Sequence, residues 1–239
     1  MSTSRGNPVS KFLRKVTKFL WAKESLDHLE SIRRFELEFA LHYFPRDGRI
    51  LEVGAGTGWQ ASALQAQGFD VDAIDLSTSN YKDNRMFPVV DYDGHRIPFG
   101  DNVFDVVFSS NVLEHIPHLE KFQQEIHRVL KPGGIAVHVV PSSAWRFWTN
   151  ITHILKSWKI PDIHGEHATN ALTEILFFRK SWWRNLFERT GWQVETVMPC
   201  PIFYTGRALM GKRISIPARH RIRRFLGGSS SLFVLREQT

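Results

Sequence analysis

The sequence contains one cysteine, Cys200, in 239 residues. An intrachain disulfide is therefore excluded, and so is a cysteine-based zinc site. That economy fits a reducing compartment, and the protein is expected to be cytoplasmic. No run reaches about 18 apolar residues, so no transmembrane helix is expected. The segment Met1 to Ser10 is polar, with no apolar stretch leading to a small-residue cleavage site, and no secretory leader is expected. Internal repeats and long low-complexity segments are missing as well. Acidic residues are missing from one stretch in particular. Residues 207–224 carry Arg207, Lys212, Arg213, Arg219, Arg221, Arg223 and Arg224 and no acid. Residues 1–206 balance 23 basic against 23 acidic side chains, so the net charge of +7 resides in that one stretch.

What is present is ordinary for a globular chain: 42% hydrophobic and 23% charged residues, enough for one sizeable core. Phe12, Leu13, Val16, Phe19 and Leu20 fall at helical spacing with Lys11, Arg14, Lys15 and Lys18 between them, which predicts a basic amphipathic helix over 11–21. A second helix is expected over 25–43. The pattern then predicts a strand at 49–53, a helix at 59–67, a strand at 69–75, a short strand near 86–90 and a strand at 104–109. A helix over 117–130, stopped by Pro132-Gly133-Gly134, and a strand at 134–140 follow. Alternating strands and helices with near-continuous apolar strands imply a parallel sheet covered on both faces. A helix at 179–190 and two late strands, 191–197 and 231–236, predict an antiparallel pair closing the sheet's edge.

Two local patterns carry chemistry. Leu51-Glu52-Val53-Gly54-Ala55-Gly56-Thr57-Gly58 follows a predicted strand and opens a helix. Glycines there permit unusual backbone angles and close approach of a ligand. The Gly-x-Gly-x-Gly spacing differs from the dinucleotide fingerprint, whose third glycine stands one place later, and no Lys-Ser/Thr follows to make a phosphate-cradling loop. The second pattern is Asp75, at the carboxyl end of the next strand and 17 residues beyond Gly58. An acid at that position can accept both hydroxyls of a ribose.

With three further segments, these patterns resemble a class I S-adenosylmethionine-dependent methyltransferase of the small-molecule, type 11 branch. The segments are Tyr92-Asp93-Gly94-His95-Arg96-Ile97-Pro98-Phe99, Asn102 to Val107 leading into Ser109-Ser110-Asn111-Val112-Leu113-Glu114-His115-Ile116, and Arg128-Val129-Leu130-Lys131-Pro132-Gly133-Gly134. The ordered set spans about residues 48–141. The resemblance implies a Rossmann-like α/β fold: a seven-stranded, mostly parallel sheet with an antiparallel edge strand and helices on both faces. The chain is expected to form a single domain over 1–239, with a helical cap at 1–47 ahead of the cofactor-binding core at 48–141 that the resemblance covers. A lid or substrate insertion at 142–180 and edge strands at 181–239, with the basic insertion 207–224, complete it.

The implied activity is methyl transfer from S-adenosyl-L-methionine, leaving S-adenosyl-L-homocysteine, to a small-molecule or lipid- or glycan-linked acceptor. The alternative is a non-catalytic cofactor-binding or scaffold protein. Carried over by residue, Glu52 helps hold the methionine ammonium through water. Gly54, Ala55, Gly56 and Gly58 let the backbone pass the cofactor. Asp75 binds the ribose hydroxyls and Leu76 packs on the adenine. Asp93 accepts the adenine amino group beside the Gly94 amide, and Asn111 meets the methionine end. Asp93 is preferred because it stands five residues before Pro98, and Asp91 is the fallback.

The cofactor's sulfonium is a strong methyl donor, so alignment of the nucleophile is the main task, worth about 7–11 kcal/mol. A hydroxyl acceptor gains about 10²–10⁴-fold from a general base. His115 is the candidate base, with Glu114 behind it; the competing reading is a helix-capping turn. His153, His164, Glu166 and His167 match no strong metal-ligand spacing. No metal is expected, and His164 to His167 read as a gate loop instead. The aromatic stretch 145–158 reads equally as a substrate lid or as core. The basic stretches 11–21 and 207–224 read as solvated surface or as peripheral contact with an anionic membrane or lipid phosphate. Nucleic acid is disfavoured because the body carries no basic excess.

Overall fold

The structure, a computed structural model, describes residues 26–206 and 213–238. The helix expected at 11–21 lies outside the described residues, as do residues 207–212 of the basic stretch.

Seven strands form one sheet: β1 (Arg49–Val53), β2 (Asp70–Leu76), β3 (Val90–Tyr92), β4 (Phe104–Ser110), β5 (Leu130–Pro141), β6 (Trp192–Pro199) and β7 (Ser230–Glu237). Their order is β3-β2-β1-β4-β5-β7-β6. The first five run parallel, and β7 pairs antiparallel with both β5 and β6, which closes that edge. The short strand expected near 86–90 sits at 90–92 instead: the Met86 amide donates to the Thr57 carbonyl, Pro88 has no amide to give, and the Val89 carbonyl accepts from the Arg85 guanidinium at 3.1 Å. The strand expected from 134 begins at Leu130, pairing with Phe104 before the register shifts.

Helices cover both faces. On one side α1 (Leu26–Ala40) and α2 (Trp59–Gln65) pack Leu37, Ala40, Ala61 and Leu64 against Ile50, Val106, Phe108, Val137 and Leu232. On the other, α3 (Leu119–Val129) and α6 (Lys180–Arg189) pack Phe122, Ile126, Trp183 and Phe187 against Leu51, Val107, Ala136 and Phe233. Adjacent strand residues such as Ile50 and Leu51 thus serve opposite faces, as the two-residue period of a strand requires. Each fully buried large apolar side chain contributes about 1.5–3 kcal/mol.

Three more α-helices lie among the described residues: α4 (Ser143–Ser157), α5 (Glu174–Phe177) and α7 (Ile216–Leu226). The Ser142 hydroxyl caps α4 by accepting from the Trp145 amide at 3.1 Å. Ser215 caps α7 in the same way, toward the Ala218 amide at 3.4 Å. The Trp148 indole donates to the Leu226 carbonyl at 3.0 Å, so the end of α7 abuts α4. Glu36, fully buried on α1, accepts from Arg33, from the Tyr204 hydroxyl at 3.1 Å and from the Ser230 hydroxyl, tying α1 to β7. Among the described residues no helix is long and apolar enough to cross a membrane.

Strand order reverses at β1, which lies between β2 and β4. In such sheets ligands sit beyond the carboxyl ends of the strands at that reversal. The glycine turn after β1, Asp75 near the end of β2 and the 111–118 segment after β4 all arrive there.

Candidate active site

The turn after β1 is held by its neighbour strand. The Gly54 and Ala55 amides both donate to the Ile74 carbonyl, at 2.9 and 3.0 Å. Gly54 has φ +72°, and a Cβ there would lie 2.4 Å from Val112 Cγ2. The turns after β1 and β4 therefore touch, and only glycine fits between them. Ala55 is buried, Gly56 lies beside the Tyr81 ring, and Gly58 is the residue before α2.

Glu52, one residue before the end of β1, is buried and accepts from the Ala61 amide, and its Oε2 has no hydrogen-bond partner. Burial pushes its carboxyl up to about 8, and the nearby Asp75 charge adds to this. Asp75 is buried, and its Oδ1 accepts from the Leu76 amide at 2.8 Å. The Leu76 side chain is half exposed, and a Cβ on Gly94 would lie 2.9 Å from its Cδ2. Leu76 thus packs directly on Gly94 at the edge of the sheet and keeps its outer face open.

The two acids before Pro98 are used differently. Asp91 pairs with Lys82 at 2.5 Å and with Arg85 at 2.7 Å, and these bonds hold its carboxyl below the usual range. The Asp93 Oδ1 accepts from the His95 and Arg96 amides at 2.8 and 2.9 Å, closing a turn, and those bonds lower its carboxyl too. The turn is fixed from outside by His118, whose Nε2 lies 2.9 Å from the Gly94 carbonyl. Asn111 adopts left-handed φ +56°, and its amide donates to the Val139 carbonyl at 2.7 Å.

His115 ends a one-turn 3-10 helix, Leu113–His115. It is 43% exposed at its side chain, whereas Glu114 beside it is fully buried. Burial pushes the Glu114 carboxyl up to about 8 and lowers His115. The His164 ring packs against His115 with centroids 4.7 Å apart and against Trp145 at 4.7 Å. Burial brings His164 down to about 4.

The 162–174 segment is pinned by groups the sequence did not single out. Arg146 on α4 and Glu174 on α5 form a buried ion pair at 2.6 Å. The Glu174 Oε1 also accepts from the His164 and Gly165 amides at 2.8 and 2.6 Å. The Glu166 amide donates to the Glu114 carbonyl at 2.9 Å. Of the four residues considered as a histidine cluster, His164 packs on the His115 ring and the Glu166 charge also acts on His115. A separate cleft of about 280 Å³, lined by Pro117, His118, Trp182 and Arg189, takes in none of the glycine-turn residues.

A family described as a methyltransferase domain matches residues 27–197. The chain belongs to this methyltransferase family. It is 28% identical over 149 residues to a biotin biosynthesis bifunctional protein of Cellvibrio japonicus, covering 56% of this chain and 30% of that one. It is 39% identical over 90 residues to a demethylmenaquinone methyltransferase of Renibacterium salmoninarum, covering 36% of this chain and 38% of that one. The chain thus spans between about a third and about two fifths of the length of these two relatives. The fold matches an S-adenosylmethionine-dependent methyltransferase from Mesorhizobium loti with TM-score 0.59 and 18% identity, over 85% of this chain and 98% of that one. S-adenosylmethionine is the cofactor this domain implies.

Proposed function

We propose that the protein transfers a methyl group from S-adenosylmethionine to a small apolar or lipid-linked acceptor at an anionic membrane surface. The observation that carries the acceptor part is the outer face of α4 beside α7. Phe147, Ile151, Leu155 and Trp158 follow one another at helical spacing and are all exposed, Trp158 by 88%. Phe225 at the end of α7 is 89% exposed. Residues 142–161 and 213–235 contain no acid, while Lys156, Lys159, Arg221 and Arg224 lie among the apolar side chains. Aromatic and basic residues on one face suit the boundary between lipid headgroups and acyl chains. Each basic residue near such a surface adds about 1 kcal/mol. Because α4 leaves the carboxyl end of β5 through Ser142, this face flanks the edge where the cofactor residues gather. The relative named for demethylmenaquinone is in keeping with an apolar acceptor.

The residues at the sheet's edge fit the cofactor. Its sulfonium, when bound, supplies an activated methyl group. The partnerless Glu52 oxygen is a seat for its ammonium, directly or through water. The Gly54 turn, set close against Val112, with Ala55, Gly56 and Gly58 after it, is the backbone the cofactor passes. Asp75 takes the ribose hydroxyls. The half-exposed Leu76 side chain, seated on Gly94, takes the adenine on its open face, with Asp93 at the amino group, since Asp91 is already committed to Lys82 and Arg85. Asn111 meets the methionine end, and His115 stands where the acceptor's proton is lost. Calorimetry tests the cofactor part: Asp75→Ala should abolish binding of S-adenosylmethionine, and unchanged binding refutes the assignment. Vesicle flotation tests the acceptor part. The protein should float with vesicles containing phosphatidylglycerol and not with phosphatidylcholine alone, and Trp158→Ser with Phe225→Ser should end flotation. Failure to float with either points to a soluble acceptor.

A further inference from the structure

We propose that Glu114, His115 and His164 form a binding site for a divalent transition-metal cation. One ligand atom from each comes within 4.8 Å of the others. The Glu114 Oε1 lies 3.9 Å from the Nε2 of both His115 and His164. Metal–nitrogen and metal–oxygen bonds of about 2.0–2.2 Å put neighbouring ligand atoms roughly 3.3 Å apart, so modest turns of the two half-exposed rings close the set. At 3.9 Å neither ring is hydrogen-bonded to the carboxylate, which argues against reading the group as an acid–histidine dyad.

Charge accounting points the same way. Around the cluster two ion pairs cancel, Arg33 with Glu36 at 2.6 Å and Arg146 with Glu174 at 2.6 Å. They leave Glu114 and Glu166 as the acidic groups acting on the two imidazoles. Glu114 is fully buried, and neither of its carboxylate oxygens has a hydrogen-bond partner. A buried carboxylate without a partner is costly, and it faces two imidazoles, which are lone-pair donors.

The surroundings also fix the ligands in place. A Cβ on Gly165 would lie 2.6 Å from the Glu114 carbonyl, so the loop seats directly on the 3-10 turn. The Glu174 carboxylate grips the His164 and Gly165 amides, and the Arg146 guanidinium holds Glu174. Such outer groups orient metal ligands and are worth about 10–100-fold in affinity. Two imidazoles and one carboxylate suit zinc and its neighbours rather than magnesium or calcium, and leave one position open. An oxygen of the acceptor bound there would be polarised as by a Lewis acid, and with the ion in place His115 would act as a ligand rather than as the base proposed above.

The test uses the full chain, stripped of metal with chelator, dialysed and titrated with Zn²⁺, Co²⁺ and Mg²⁺ in separate calorimetric runs. The expected result is one equivalent of Zn²⁺ or Co²⁺, weaker Mg²⁺ binding, and visible Co²⁺ bands of four-coordinate intensity. His164→Ala and His115→Ala, both at half-exposed positions, should retain the parent's circular dichroism and weaken Zn²⁺ binding at least 100-fold. Glu114→Gln should do likewise. Zn²⁺ binding that is equal in the parent and the histidine variants, or no stoichiometric binding at all, overturns the proposal. The readout is metal binding, so it stands apart from cofactor binding and vesicle flotation.

Discussion

Arg146 and Glu174 meet at 2.6 Å with both side chains almost entirely out of solvent. Arg146 also donates to the Asp162 carbonyl at 2.6 Å, and Glu174 accepts from two amides of the same loop. One ion pair thus anchors both ends of the 162–174 segment to α4. Removing one partner of a buried pair leaves a bare charge and costs about 3–5 kcal/mol. Arg146→Met should therefore lower stability by that amount in urea denaturation. It should also open the loop to proteolysis between Ile160 and Thr173 before the sheet unfolds. Cleavage no faster than in the parent would show that the loop is held by other contacts.

Glu52 should couple cofactor binding to a proton. With its carboxyl pushed up to about 8 by burial, it carries a proton at pH 7 in the free protein. An ammonium at its open oxygen favours the ionised form, so binding releases the proton. Calorimetry at pH 7 in buffers of different ionisation enthalpy should give close to one proton released per cofactor. Affinity should rise with pH up to about 8 and then level. Glu52→Gln should remove the proton release and weaken binding at least tenfold. The same group affects folding with a definite sign. Its folded value lies above its unfolded value of 4.5, so its stabilising contribution is complete below 4.5 and is lost as pH rises toward about 8. The free Glu52→Gln protein should be more stable than the parent at pH 8 and similar to it at pH 4.5.

What could be read from the sequence was local in the chain. The strands flanking Gly54, the turn itself and Asp75 lie within one strand-turn-helix-strand unit, and each leaves a pattern there. The sheet's parallel character followed from apolar runs such as Phe104 to Phe108. The aromatic stretch 145–158 stayed ambiguous because a helix divides it. Trp145 is buried against His164, whereas Phe147 and Trp158 face outward. Arg146 and Glu174 left no trace, since a charged residue on a helix reads as surface until the fold brings its partner. The meeting of His164 with Glu114 was hidden for the same reason: α3, β5 and α4 come between them in the chain.

Gly54 should tolerate alanine far less than Gly68. Both have positive φ, +72° and +95°, so alanine at either costs about 1–2 kcal/mol in backbone strain. At Gly68 a Cβ meets nothing within 4 Å, but at Gly54 it runs into Val112. Gly68→Ala should therefore lose only the strain, with cofactor affinity unchanged. Gly54→Ala should lose more stability and bind S-adenosylmethionine at least tenfold more weakly. Thermal melts and calorimetry on the two variants check this. Equal losses would show that the turns after β1 and β4 move apart freely.

His138 should make the sheet sensitive to acid. It lies fully buried in β5, its Nδ1 is 2.8 Å from the Ser109 hydroxyl of β4, and its ring stacks on Phe187. Burial brings it down to about 3 from an ordinary 6.5. A depressed folded value means that its contribution is intact above 6.5 and is lost as pH falls toward about 3, because the unfolded chain takes the proton first. Each pH unit in that window costs about 1.4 kcal/mol. Urea denaturation at pH 6.5 and pH 4.5 should show a decline that is about 2–3 kcal/mol shallower for His138→Gln than for the parent. The variant itself should be somewhat less stable at pH 7, where the neutral imidazole fills its place between Ser109 and Phe187. Identical pH slopes for the two proteins would mean that the ring gains a proton within the fold, and that β4 and β5 part at this point well before the sheet unfolds.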